Sequence, residues 1–297
     1  MVPTVFCPPV EGDRWPRVEP LRATTLGELK SMLRSPNHER VVLWRGPSPV
    51  DGASIMLVAT GILLAPPVPD SSVGSTNTKT GRMVQTWIVR EDVRPRQALD
   101  VGQDSSVCGE CPMRRTATEG GSVRGCYVRG DSLNSVFTAV SLGRYVECGP
   151  EILNALLLET GQQLRVGSYG DPAMVPFPVW SALAQGTKSV GYTHQWRVAD
   201  TRFAGLLMAS VETIGQRAEA IAAGWRTFRV RMEGTALDAG EFVCPASKEA
   251  GQKTTCARCL LCGGTESRVK KSPAIIAHGV GASRFPILAK HHGWDIG

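Results

Sequence analysis

Residues 164–196 read LRVGSYGDPAMVPFPVWSALAQGTKSVGYTHQW, and the fold turns on how this stretch is parsed. LRVGSY has the length and composition of a strand and is closed by the turn GDP. VPFPVWSALAQ spaces its apolar residues as a helix does and stops at a glycine. KSVGYTHQW is strand-like again. A strand, a helix and a second strand on short connections predict a βαβ unit whose two strands run parallel.

The same rhythm continues on both sides. PEILNALLLETGQ (150–162) reads as an amphipathic helix leading into the unit. Beyond it, DTRFAGLLMASVE (200–212) holds a turn and a strand, and TIGQRAEAIAAG (213–224) a helix with a glycine stop. WRTFRVRM (225–232) and SPAIIAHG (272–279) are further strands. Strands at about 164–168, 188–193, 206–211 and 226–231 are expected to lie parallel and adjacent in chain order. Several end in polar motifs (GSYGDP, GYTHQW, ASVE, AHG), and barrel enzymes build their sites at that edge. The expected fold is therefore α/β: a full or partial (β/α) barrel with parallel strands, an open doubly wound sheet being the alternative.

Ahead of this portion, residues 1–100 form a mixed or β-rich N-terminal segment, with strands expected in ERVVLWRG (39–46) and MVQTWIVRED (83–92). The polar stretch PPVPDSSVGSTNTKTGR (66–82) reads as a loop. Residues 101–150 hold a first cysteine group and a short helix in SLNSVFTAVSLGRY (132–145), and residues 151–297 the barrel portion with a second cysteine group.

The chain has 297 residues, 42% of them hydrophobic, enough for one large domain or two smaller ones. Its net charge of +6 is a mild bias toward anionic partners such as a nucleotide or nucleic acid. The opening MVPTVFCPPVEGDRWPRVEP lacks the basic start and apolar run of a secretory leader. The longest apolar stretch, ASIMLVATGILLAPPVP (53–69), is broken by glycine and proline and too short for a membrane span. A cytoplasmic protein with no membrane partner is expected, and its clustered thiols are read as metal ligands rather than disulfides.

Nine cysteines are present. Cys244, Cys256, Cys259 and Cys262 lie in CPASKEAGQKTTCARCLLCGG, three of them in a C-x2-C-x2-C run. Thiolates at that spacing wrap one compact object, as cubane [4Fe-4S] clusters require. Structural zinc more often uses two separate knuckles, and remains the alternative, with His278 able to replace one thiolate. The first group, CGECPMRRTATEGGSVRGCYV, supplies Cys108, Cys111 and Cys126. Three thiolates leave a metal centre one open position, unless Cys148 closes it. Cys7 reads as a lone thiol.

Asp171, His194 and Glu212 end three successive expected strands. They are the expected catalytic residues: a general base or nucleophile, a pocket histidine and a second carboxylate. Asp171 between glycine and proline is equally a turn-former. Trp180, Trp196 and Trp225 are expected in the core. Basic residues in GQKTTCAR and ESRVKKS flank the second cysteine group, where phosphates or solvent would meet them.

The order C-x2-C…CYV, GSYGDPAMVP, GYTHQW, SVE resembles uncharacterised bacteriophage protein families, which in turn resemble radical SAM enzymes of the spore photoproduct lyase type. The resemblance spans roughly residues 104–280. It implies a (β/α) barrel with one or two [4Fe-4S] clusters. Cys108, Cys111 and Cys126 would be the S-adenosylmethionine-binding set, and Cys244, Cys256, Cys259 and Cys262 would hold an auxiliary cluster. Tyr127, Ser168 and Arg197 are the expected cofactor-binding residues, Tyr127 walling the first cluster from water. The family spacing is C-x3-C-x2-C, whereas this chain has C-x2-C-x14-C. A weaker similarity is to barrel transglycosylases that exchange guanine bases, which carry a C-terminal zinc site with a histidine and a catalytic aspartate.

Three functions follow as expectations. The first is a radical-SAM-like iron–sulfur enzyme acting on a nucleotide, nucleobase or nucleic acid, in the host cytoplasm if phage-encoded. The second is a SAM-independent transglycosylase or hydrolase with structural zinc. The third is a metal-stapled nucleic-acid-binding protein. Neither the substrate nor the oligomeric state is fixed by these residues.

Overall fold

The computed structural model describes residues 20–35, 40–67, 79–128, 130–267 and 269–295. Cys7 and residues 68–78 of the expected loop lie outside them. The strands are β1 Leu21–Ala23, β2 Arg40–Pro47, β3 Ser54–Thr60, β4 Val84–Arg90, β5 Arg115–Thr118, β6 Gly121–Arg124, β7 Val146–Cys148, β8 Leu164–Tyr169, β9 Ser189–Thr193, β10 Met208–Val211, β11 Thr227–Arg231, β12 Glu241–Val243 and β13 Ser272–Ile276. Eleven of them join in one sheet, ordered β1-β7-β2-β3-β4-β8-β9-β10-β11-β13-β12, while β5 and β6 form a separate hairpin.

The four strands expected from the βαβ rhythm are β8, β9, β10 and β11, parallel and adjacent in chain order. Helix Phe177–Ala184 connects β8 to β9, the short helix Phe203–Leu206 connects β9 to β10, and helix Ile214–Ala222 connects β10 to β11. The last begins at Thr213, whose hydroxyl accepts from the Gln216 N–H while the Gln216 side chain reaches back, a reciprocal cap that fixes where β10 gives way to helix. Antiparallel pairing is confined to β2–β3 and β3–β4, and every other neighbour pair in the large sheet is parallel. The N-terminal hundred residues thus contribute β1–β4 to the same sheet. Its outer strands are β1 and β12, and among the described residues no pairing between them closes a barrel.

Alternation along the strands divides the core. Ala209 and Val211 of β10 pack with Trp180, Ala220 and Trp225 on the helix-covered side. Met208 points the other way and joins Val190, Phe228 and Ile275 against Cys244, Cys256 and Cys262. The second cysteine group therefore packs on a sheet face as part of the core. All three tryptophans expected inside are buried. No helix among the described residues is long and apolar enough to cross a membrane.

Candidate metal and substrate site

The first cysteine group is assembled by local structure. Cys108 ends the short helix Ser105–Cys108, and a turn places the Cys111 N–H 3.3 Å from the Cys108 carbonyl. The fourteen residues before Cys126 are mostly the β5–β6 hairpin. It returns the chain so that the Cys126 N–H donates to the Met113 carbonyl at 2.9 Å. The long spacer thus brings the third cysteine back beside the second. Burial pushes the Cys108 thiol well up, and charge on Cys111 and Cys126 pushes it further, as expected of thiols sharing one space.

The sheet adds the next residues. His194 follows β9 directly, with its Nδ1 3.3 Å from Cys111 Sγ and its Nε2 2.9 Å from Glu212 Oε1. Glu212, buried, follows β10. Burial works against a charged His194, but Cys111 and Glu212 outweigh it and raise its pKa well above the ordinary value. Asp171, at the end of β8, accepts from the Thr193 hydroxyl (2.6 Å), the His194 N–H (2.8 Å) and the Ala173 N–H (3.0 Å). Burial raises its pKa. The three expected catalytic residues therefore meet, but in unequal roles. His194 and Glu212 line a cleft of about 360 Å3 together with Cys111, Arg114, Arg197 and Trp294. Asp171 is not in that wall; its two oxygens are taken up by neighbouring donors, so it sets the position of His194 rather than meeting a ligand.

The expected cofactor residues stand apart from one another. Arg197 lines the cleft, its fork bidentate on Glu219 at 2.6 and 2.7 Å and its guanidinium over the Trp196 ring. Ser168 is buried and donates to Gln85 Oε1 at 2.6 Å. Tyr127 accepts from Arg165 Nη2 at 2.8 Å and stacks on His278. Cys148 ends β7, where the buried thiol pairs in register with Ala23 of β1; burial and then Glu151 push it up to about 12. It has no part in the first group.

Cys244, Cys256, Cys259 and Cys262 line one cavity of about 10 Å3. A single helical turn, Cys256–Cys259, sets its two thiols on one side, and its amides are capped from the N-terminal half: Cys256 N–H donates to the Lys79 carbonyl and Ala257 N–H to that of Thr80. Gly264, in the CGG motif, is needed for close approach rather than for an unusual backbone angle. A Cβ there would stand 2.3 Å from the Ala204 and Gly205 carbonyl oxygens. Arg226 donates to the Leu261, Gly263 and Lys271 carbonyls and pins the loop around Cys262. His278 does not reach the thiols: its Nε2 is 2.9 Å from Lys79 Nζ and its Nδ1 3.2 Å from the Ile276 carbonyl.

Among the described residues no three His, Cys, Asp or Glu side chains already stand in a metal-holding arrangement. The fit to a metal rests on donor chemistry and surroundings. Backbone N–H groups two residues on point at the sulfurs of Cys126, Cys244 and Cys259, and Tyr192 is hydrogen-bonded to Cys262. Arg165 is buried, donates to the Tyr127 hydroxyl at 2.8 Å and stands near Tyr192, Cys256 and Cys262. A buried cation beside thiols is matched when the thiols are thiolates, the form a metal binds.

Sequence reasoning overlooked Arg165, Arg114 and Trp294. Arg165 was visible as a charged residue inside an otherwise apolar strand; Arg114 and Trp294 carry no pattern that separates them from surface residues. No family model matches the chain, and neither the curated proteins nor the solved structures give a match.

Proposed function

We propose that this chain is a thiolate-metal enzyme acting on a nucleotide, nucleobase or nucleic acid, with two centres of different purpose. One observation carries the reading: Cys111 of the first group shares with His194 and Glu212 a cleft beyond the C-terminal ends of β9 and β10. A substrate can approach there, as in sheets and partial barrels of parallel strands. The four-thiol set lines its own small cavity, and is read as a staple holding the C-terminal segment to the sheet around zinc or an iron–sulfur cluster.

At the first group, the radical-SAM-like resemblance implies a [4Fe-4S] cluster on Cys108, Cys111 and Cys126, which when bound supplies one-electron chemistry toward S-adenosylmethionine. The protein's own contribution is the cleft. Arg114, Arg115 and Arg197 stand on its walls, each paired with a carboxylate (Asp104, Asp100 and Glu219) against which a phosphate would compete, and Trp294 with stacked His292 offers a flat surface for a base. The contact of Cys111 with His194 favours a second reading, in which the first group also binds zinc and the chemistry is independent of S-adenosylmethionine.

The test is reduced protein, purified without oxygen, given S-adenosylmethionine with nucleotides or single-stranded DNA. Formation of 5′-deoxyadenosine that is lost in Cys111→Ala supports the radical form. Turnover by iron-free, zinc-filled protein supports the second. A protein that binds no metal at Cys111 and no nucleotide or nucleic acid is not this enzyme.

A further inference from the structure

The first cysteine group has three thiols, and the structure provides a fourth donor that is distant in sequence. We propose that His194, through Nδ1, is the fourth protein ligand of that centre, and that Glu212 is the positioning residue that holds it there. The inference rests on the reading that Cys108, Cys111 and Cys126 bind a metal, and adds the residue that completes the set.

Three constraints act on His194 from three directions. Its Nδ1 lies 3.3 Å from Cys111 Sγ. Its Nε2 lies 2.9 Å from Glu212 Oε1, an almost wholly buried carboxylate. Its backbone N–H donates to Asp171 Oδ2 at 2.8 Å, and Asp171 is itself tied to Thr193 and Ala173. A carboxylate accepting from one ring nitrogen keeps a proton there, so a metal binding among the thiols would displace only the proton on Nδ1, the nitrogen that faces the sulfur. Metal-bound histidines are held in this way: the second nitrogen donates to a carboxylate that fixes tautomer and ring orientation.

The same three groups also have the layout of a nucleophilic thiol, its base and an orienting carboxylate. The other cysteines decide between the two. A nucleophile needs one accessible thiol, whereas here the Cys111 N–H lies 3.3 Å from the Cys108 carbonyl and the Cys126 N–H donates to the Met113 carbonyl at 2.9 Å, so that the backbone draws all three cysteines together. Three thiols crowded together are useful when a cation neutralises them. A Cys3His zinc set is closed, so in a zinc form the centre would shape the cleft wall and leave the chemistry to the cleft's other residues, and in an iron form a co-substrate that binds the cluster would have to replace this imidazole.

The test uses the full chain loaded with cadmium and with zinc. 113Cd resonances of the wild type should show one site of four sulfurs and one of three sulfurs and one nitrogen, a result that needs no variant to fold. Competition against a chromophoric chelator should show Glu212→Gln weakening one zinc site about 10- to 100-fold and leaving the other unchanged. His194→Cys should keep two sites and convert the mixed resonance to the four-sulfur type. If Cys111→Ala lowers metal content but the first resonance lacks nitrogen, His194 is not a ligand and the inference falls while the metal reading stands. If Cys111→Ala leaves metal content unchanged, the first centre itself is refuted. A metal-free first group with a single rapidly alkylated Cys111, slowed by His194→Ala, would overturn the ligand assignment in favour of a thiol nucleophile.

Discussion

Asp171 and Gly264 show how single residues hold the two sites without touching a ligand. The Asp171 carboxylate accepts from two backbone N–H groups and one hydroxyl, all near the end of β9 or the turn after β8. Removing a buried charged acceptor leaves such donors unsatisfied. Asp171→Ala is expected to destabilise the protein by about 3 kcal/mol and to loosen His194; denaturant midpoints check the first, and a change within about 0.5 kcal/mol would contradict it. Gly264→Ala would drive a methyl group into two carbonyl oxygens. The expected cost is about 1–3 kcal/mol, with weaker metal retention at Cys262; an unchanged melting temperature would show that the loop has room.

At the scale of elements, β12 is tied to its neighbours by charge. Glu241 of β12 is fully buried and takes a bidentate contact from Arg229 of β11, Nη2 to Oε2 at 2.6 Å and Nε to Oε1 at 2.9 Å. Arg217, from the helix Ile214–Ala222, approaches the same carboxylate at 3.4 Å. Glu241→Ala leaves Arg229 without its carboxylate in the core, while Arg217 keeps Asp238, and a loss of about 3–5 kcal/mol is expected by chemical denaturation; a loss under about 1 kcal/mol would mean that water reaches Arg229. The strands of the βαβ portion were legible because period and punctuation agree there: alternating apolar residues, then Gly, Pro or Asp. β12 was not, since its three residues EFV carry no period. The β5–β6 hairpin was missed because RTAT and GSVR are polar on both faces. The C-x2-C pairs were readable because a turn or single helical turn places such thiols together. The meeting of Cys111 with His194 was not, because it depends on which strand end the hairpin is packed against.

For the whole molecule, the sheet carries both cysteine groups. One is in the core on a strand face, and the other stands by the cleft beyond the strand ends. Segment Lys79–Thr80, just ahead of β4, holds the amides of the Cys256–Cys259 turn, so the N-terminal and C-terminal parts of the chain share one staple. Metal bound there adds to folding free energy directly. Cys256→Ser is therefore expected to lower the melting temperature, and metal chelation should lower that of the wild type in the same direction. An equal melting temperature with and without chelator would separate the cysteines from stability.

The central claim is that the chain has two thiolate metal centres that are independent of each other. The measurement that tests it most directly is the zinc, iron and acid-labile sulfide content of wild type, Cys111→Ala and Cys256→Ser, purified side by side without oxygen. Two centres in the wild type, and a different one lost in each variant, are the predicted result. A wild type free of metal, or variants that both keep the full content, would contradict the account.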